Sequence, residues 1–229
     1  MDNNVENNIA EVLQYYEEKK TLIESLLAGV EAFFRKNKTL QPYIHSITSR
    51  LKDPSHLADK IARKAEKGKL ITRENLFDTV TDLAGVRVLH LYPRQFDVIH
   101  SALMYAINAD GLWKLYEKPV AYTWDPESEQ HFKALDLRTE LRDTYYTSIH
   151  YVVRPNNQLA NTPCCEIQVR TLFEEIWGEI DHHINYPHPT ESLACREQLR
   201  VLSKLVSTGT RLADSIYNCH EEFENIQKK

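Results

Sequence analysis

Apolar side chains recur at helical spacing from near the first residues of the chain. They are Ile9, Val12, Leu13 and Tyr16, then Ile23, Leu26, Leu27, Val30, Phe33 and Phe34. Steps of three and four place such residues on one helix face, so a helix or helix pair is predicted up to Lys36-Asn37. The period then changes. From Tyr43 to Leu51 apolar and β-branched residues roughly alternate with polar ones, which is the period of a strand. Pro54 suits the first turn of a helix, and a helix over 54–67 would stop at Gly68. Ala84 to Leu91, AGVRVLHL, reads as a buried strand, and Pro93 opens a helix to about Asn108. A short strand at 112–116, strands at 146–153 and 165–169, a helix at 171–184 and a long helix at 194–225 follow. Residues 117–143 show no clear period and read as an insertion. This order predicts an α/β fold, a mixed sheet with helices at one face and at both ends. Trp113, Trp124 and Trp177 are expected in the core.

Composition narrows the class. Only 6 Gly and 9 Pro occur in 229 residues, which excludes a low-complexity chain, and the length can bury a core without metal or disulfide staples. A net charge of −5 argues against a protein that coats nucleic acid or an acidic membrane. No apolar run approaches the ~20 residues of a membrane span. The start, MDNNVENNIAEVLQYYEEKK, lacks a basic stretch followed by an apolar one, so no secretory signal is expected. Cys164, Cys165, Cys195 and Cys219 form no C-x-x-C pair and read as reduced thiols, which points to the cytoplasm.

The net charge hides a local asymmetry. Between Arg50 and Arg73 eight cations face three acids, a window of +5 in a chain whose remainder carries −10. Arg50 and Lys52 are two apart and share a strand face; Lys60 and Lys64 are four apart and share a helix face, continued by Lys67. A charge run on a helix alone reads as a solvated surface. Cations converging from a strand and a helix suit a polyphosphate, whose charge must be neutralised where it binds.

Two carboxylates lie near strands. Asp82 precedes the buried strand in T-D-L-A-G-V-R-V, where it is either a turn residue or a ligand for Mg²⁺, which takes one or two carboxylates plus phosphate oxygens. Glu166 shares a strand face with Gln168 and Arg170 in C-E-I-Q-V-R-T, so that face is either solvated or a site. Tyr146, Ser148 and His150 in Y-T-S-I-H make a second polar face, able to stack a base and hydrogen-bond a ribose or phosphate. His182, His183 and His188 do not read as a zinc site, because adjacent helical histidines diverge by about 100°.

Taken together, four segments resemble the RelA/SpoT synthetase family, in the family's order. S-R-L-K-D-P-S-H-L-A-D-K-I-A-R-K is similar to its ATP-binding strand and helix, and T-D-L-A-G-V-R-V to its metal-aspartate segment. Y-T-S-I-H is similar to the guanine-loop motif, and E-I-Q-V-R-T-L-F-E-E-I-W-G-E-I-D-H to the second-carboxylate motif with its helix. The resemblance spans about residues 43–186.

The resemblance implies a nucleotidyltransferase-like mixed β-sheet flanked by helices, and transfer of pyrophosphate from ATP to the 3′-hydroxyl of GDP or GTP. It implies Arg50, Lys52, Ser55, Lys60 and Lys64 as ATP contacts, and Asp82 and Glu166, 84 residues apart, as the Mg²⁺ carboxylates. Glu166 is the candidate to accept the proton of the attacking hydroxyl. Tyr146 is expected to stack on the acceptor base, with Ser148, His150, Gln168, Arg170 and His182 around it. Three departures from the family fall on the acceptor side: the loop itself, the lack of a clear basic segment before it, and the different insertion at 117–143. Where many members read N-G-Y-R-S or G-Y-Q-S, this chain has T-Y-Y-T-S, with Tyr145 at the glycine and Thr147 at the Arg/Gln. Relatives with altered acceptor sides use adenine nucleotides or the 3′ end of tRNA, so the donor is the better-defined substrate. No metal-dependent hydrolase motif is present. A helical segment at 1–40, a synthetase domain at 41–190 and a C-terminal helix at 191–229 are expected, with the terminal helices as packing or homo-oligomer surfaces. A tRNA or an antitoxin is the less favoured partner, and a catalytically silent nucleotide-binding module is the other alternative, against which the retained carboxylates and cations argue.

Overall fold

The computed structural model describes residues 3–157, 159, 161–186 and 188–228. The N-terminal apolar pattern forms two helices, α1 (Asn3–Glu18) and α2 (Lys20–Lys36), broken at Lys19. A 3₁₀ turn at Gln41–Tyr43 leads into β1 (Ser46–Leu51) and α3 (Pro54–Glu66). There follow α4 (Leu76–Thr79), β2 (Ala84–His90), α5 (Gln95–Asn108), β3 (Trp113–Leu115), β4 (Val120–Thr123) and α6 (Pro126–Ala134). The chain continues through β5 (Arg138–Leu141), β6 (Ser148–Pro155), β7 (Cys165–Thr171), α7 (Leu172–Asn185) and α8 (Leu193–Gln227). Four helix starts are set by local chemistry. Asp53 caps α3, Asp125 caps α6, Ser192 caps α8, and Thr171 with Glu174 forms a capping box on α7.

The seven strands make one mixed sheet in the order β1-β2-β7-β6-β4-β5, with β3 also on β6. β2–β7 and β4–β5 are parallel; β1–β2, β6–β7, β4–β6 and β3–β6 are antiparallel. Register decides what each face carries. Val86 and Val88 of β2, Ile167 and Val169 of β7, and Ile149, Tyr151 and Val153 of β6 share one face and join the core with Val30 and Phe34 of α2 and Ile99 and Leu103 of α5. The alternate positions form a polar face: Arg50 lies opposite Gly85, Gly85 opposite Glu166, Arg87 opposite Gln168, and Gln168 opposite His150.

Three expectations need correction. Residues 117–143 hold β4, α6 and β5, and so complete one edge of the sheet. Their pattern is hard to read because each element is short and α6 and β5 are mostly polar. Trp124 is only partly covered, unlike buried Trp113 and Trp177. The strand expected from residue 146 begins at Ser148, so Tyr146 stands in the turn before it. Among the described residues no helix is long and apolar enough to cross a membrane.

Candidate active site

The polar sheet face opens into a cleft of about 190 Å³ lined by Thr48, Arg50, Asp82, Arg87, Glu166 and Gln168, with Glu179 reaching in from α7. Its two carboxylates are held differently. Asp82, in the turn before β2, accepts hydrogen bonds from Lys52 and Lys60, both at 2.8 Å. Burial would raise its pKa, but the Lys60 charge and the two lysine hydrogen bonds outweigh burial and hold the group below the ordinary carboxylate range. Lys52 reaches Asp82 because its backbone N–H bonds Leu83 O at 2.8 Å, which carries the β1–β2 pairing one residue past the strand.

Glu166 sits on β7. Gln168 Nε2 donates to its Oε2 at 2.8 Å, and His150 Nδ1 lies 3.1 Å from its Oε1. Burial again pushes upward, and the His150 hydrogen bond and charge with the Gln168 amide pull the carboxyl below its usual range. His150 passes the chain on: its Nε2 is 3.0 Å from the Tyr146 hydroxyl. Tyr122 of β4 meets the His150 ring edge-on at 4.8 Å, and the Arg142 guanidinium lies 4.2 Å from the Tyr122 ring centre. Burial raises the Tyr146 phenol despite nearby Arg170, so it is a neutral hydroxyl at neutral pH. Tyr146, His150, Glu166 and Gln168 are thus one hydrogen-bonded line. Buried Ser148 shares their face, and its hydroxyl has no hydrogen-bond partner among the described residues.

The remaining sequence candidates fall around this line. Arg50 is exposed on the cleft wall, opposite Gly85. Lys64 is half-buried one turn beyond Lys60 and makes no ion pair among the described residues. Ser55 is exposed at the start of α3, where its N–H and hydroxyl donate to Asp53 Oδ1 at 2.8 and 2.5 Å. Arg170 is 3% exposed, and its guanidinium lies 5.8 Å from the Tyr146 ring centre. His182 is set apart from Tyr146 and His150. It is exposed on α7 and stacked 4.6 Å from Tyr186, whose ring also faces His56 near the start of α3. The structure thus links His182, through Tyr186, to the start of α3.

Several site residues escaped the sequence reading. Arg87 pairs with Glu175 and, at 2.7 Å, with Glu179. Glu175 also takes Arg170 Nε at 2.5 Å, so one carboxylate holds two arginines. The signal was present: Arg87 interrupts an apolar strand, and Glu175 and Glu179 are four apart on a helix. Gly178 also escaped it, since a Cβ there would lie 2.8 Å from Arg170 Nη1. Tyr122 and Arg142 fell in the stretch without a period.

The oxygen-only donor set of Asp82 and Glu166 fits Mg²⁺ shared with phosphate, and among the described residues no cluster of three His, Cys, Asp or Glu forms an all-protein metal site.

Residues 49–191 match the family described as the region found in RelA / SpoT proteins, which is more than half of the chain. The chain belongs to the RelA/SpoT family. Its fold matches small alarmone synthetase 1 from Bacillus subtilis, with a TM-score of 0.66 at 19% identity, over 92% of this chain and 98% of that one. It also matches a GTP pyrophosphokinase family protein from Streptococcus pneumoniae, at TM-score 0.65 and 20% identity over 93% and 96% of the two chains. The Bacillus protein has also been solved bound to its product pppGpp and bound to AMPCPP. No curated protein matches the chain.

Proposed function

We propose that the chain transfers the terminal pyrophosphoryl group of ATP to the 3′-hydroxyl of GDP or GTP. The observation that carries this reading is a single cleft with Asp82 and Glu166 on its walls, lysines and an arginine on one side and a tyrosine–histidine pair on the other. Phosphoryl-group transfer needs positioning and charge neutralisation more than covalent help from the protein. Arg50, Lys52, Lys60 and Lys64 take the triphosphate, and phosphate oxygens replace Asp82 on the two lysines. Asp82 and Glu166 would hold Mg²⁺ together with phosphate oxygens, and the ion would supply neutralisation of the phosphate charge. The 3′-oxygen attacks the β-phosphorus, the bond to the α-phosphate oxygen breaks and AMP leaves. Glu166 accepts the hydroxyl proton, and its hydrogen bonds to His150 and Gln168 fix the direction of its lone pairs. Tyr146 stacks on the acceptor base, while His150, Ser148 and Arg170 face its ribose and phosphates.

The AMPCPP and pppGpp bound to the Bacillus relative support the donor and acceptor classes. An adenine nucleotide or tRNA as acceptor is favoured by one observation, the altered loop with Tyr145 and Thr147. Incubation with γ-labelled ATP and Mg²⁺ against GDP, GTP, an adenine nucleotide and tRNA in turn decides between them. Labelled product with GDP or GTP is expected; label only on another acceptor overturns the guanine reading, and label on none overturns the transferase reading. We propose a cytoplasmic location as well, in keeping with the reduced-thiol composition.

A further inference from the structure

Behind the acceptor turn, on the other side of the sheet, lies a second cavity of about 200 Å³ walled by α6, α7 and α8. Five aromatic residues line it: Phe96, Trp124, Phe132, Tyr145 and Trp177. Its hydroxyls are largely engaged within the protein. Ser203 donates to Arg200 O, Thr210 to Val206 O and Ser128 to Asp125, while Thr171 accepts the Glu174 N–H. Unused acceptors are left. Glu174 spends one carboxyl oxygen on the Thr171 N–H at 2.8 Å and pairs with no cation among the described residues. At the rim, α8 supplies Arg211, which binds Asp125 at 3.5 Å, Glu127, and the Ser207 hydroxyl at 2.8 Å. The mouth therefore already receives one cation, and the carboxyl farther in lacks one.

We propose that this cavity is a binding site for a small organic ammonium ion with an apolar body. Aromatic walls attract a cation through their faces and bury its hydrocarbon part. Glu174 supplies the charge-assisted hydrogen bond. A volume of about 200 Å³ suits a ligand with one ring, since a cavity of roughly 150 Å³ already admits benzene. Burial pushes the Glu174 carboxyl up to about 7, with Asp125 also raising it and the Thr171 donors and Arg170 opposing, so a bound cation would offset the cost of ionising it. The wall also contains a strained residue. Tyr145 has φ of 62°, a region that bulky side chains rarely enter, and its ring meets Trp124 at 5.3 Å. The turn that turns Tyr145 and Thr147 to this cavity turns Tyr146 and Ser148 to the active site. The inference does not rest on the transferase reading, and binding is its readout.

Trp124 and Trp177 report occupancy by fluorescence, with calorimetry as the second measurement, on the intact chain. Phenethylamine is expected to bind at least about tenfold more tightly than phenethyl alcohol, and phenylacetate to bind more weakly than either. Glu174→Gln, which keeps the shape and a capping side chain, should bring amine and alcohol together. Ser207→Trp, which fills the mouth, should remove both. Equal affinities in the native chain, a preference that survives Glu174→Gln, or no binding of the amine up to about 10 mM would each overturn the proposal.

Discussion

The two halves of the cleft, proposed above to take the donor and the acceptor, are built on different principles. The donor half is charge against charge: Asp82 is pinned by two lysines from β1's end and α3, which lie 8 residues apart in sequence. The other half is rings and a hydrogen-bonded line centred on the Glu166 carboxylate, drawn from β4, β6, β7 and the turn before β6. A preformed ion pair is ready to exchange one partner for another, and a triphosphate can take the lysines as a metal takes the carboxylate. A line of Tyr146, His150, Glu166 and Gln168 orients groups instead of exchanging them. The first kind of site binds charge with little regard to shape; the second discriminates by shape.

Removing a carboxylate should give the largest effects and separate the halves. Asp82→Asn and Glu166→Gln are each expected to lower transfer by at least ~100-fold. They should differ in binding. Asp82→Asn releases Lys52 and Lys60, so ATP affinity measured without Mg²⁺ should hold or rise, whereas Glu166→Gln should leave it unchanged. Turnover near the native rate in either variant at saturating Mg²⁺ would falsify the paired-carboxylate assignment.

Next in size come the rings. Tyr146→Ala should reduce acceptor use by about ten- to a hundredfold, the worth of one base–aromatic stack, with ATP binding unmoved. Tyr146→Phe, which loses only the hydroxyl bonded to His150, should lose less. Tyr145→Ala serves as the register control, because its ring points to the opposite cavity. An acceptor defect in that variant alone would move the stacking role to Tyr145.

On the donor side the expected losses are smaller, because several cations share the load. Arg50→Ala and Lys52→Ala should raise the ATP requirement clearly more than Lys67→Ala or Lys69→Ala, since the latter two are exposed beyond the end of α3. Similar small losses at all four positions would make the basic window a solvated patch.

The same contrast explains what could be read in the chain. Donor residues lie in one window, Arg50 to Lys64, where period and charge together reveal both faces. The mixed α/β sheet was legible from strong apolar strands such as β2 and β7, though the order of strands within it was not. The acceptor side was less legible because Tyr122 and Arg142 sit on elements of four residues or in the loop after one, too short to carry a period. Tyr145 shows the limit most clearly. The sequence offered a tyrosine where the family often has glycine, and the backbone there still adopts a glycine-like φ of 62°. Composition cannot reveal a conformation that the surrounding fold imposes. The surroundings of His182 were hidden for another reason: helix α7 stacks it on Tyr186, and only the packing of α3 nearby brings His56 to the same ring.

The smallest expected effect tests whether the halves are independent at all. Gly178 lies inside α7, where alanine ordinarily stabilises a helix by about 1 kcal/mol. A methyl group there would meet Arg170 Nη1 at 2.8 Å. That atom ends a flexible side chain, so the guanidinium can shift, and Gly178→Ala should unfold at nearly the native temperature. Arg170 cannot shift alone, because Glu175 holds both it and Arg87. The displacement should therefore reach the Tyr146 ring above Arg170 and the cleft wall at Arg87. A fall of roughly threefold to tenfold in kcat, with a raised KM for the acceptor, is expected from sub-ångström misplacement of this kind. ATP affinity should not change, because no hydrogen bond or ion pair among the described residues joins Glu175 to Lys52, Lys60 or Asp82. A weakened ATP affinity at native stability would show that Arg87 carries strain across the cleft, and that the two halves are one site.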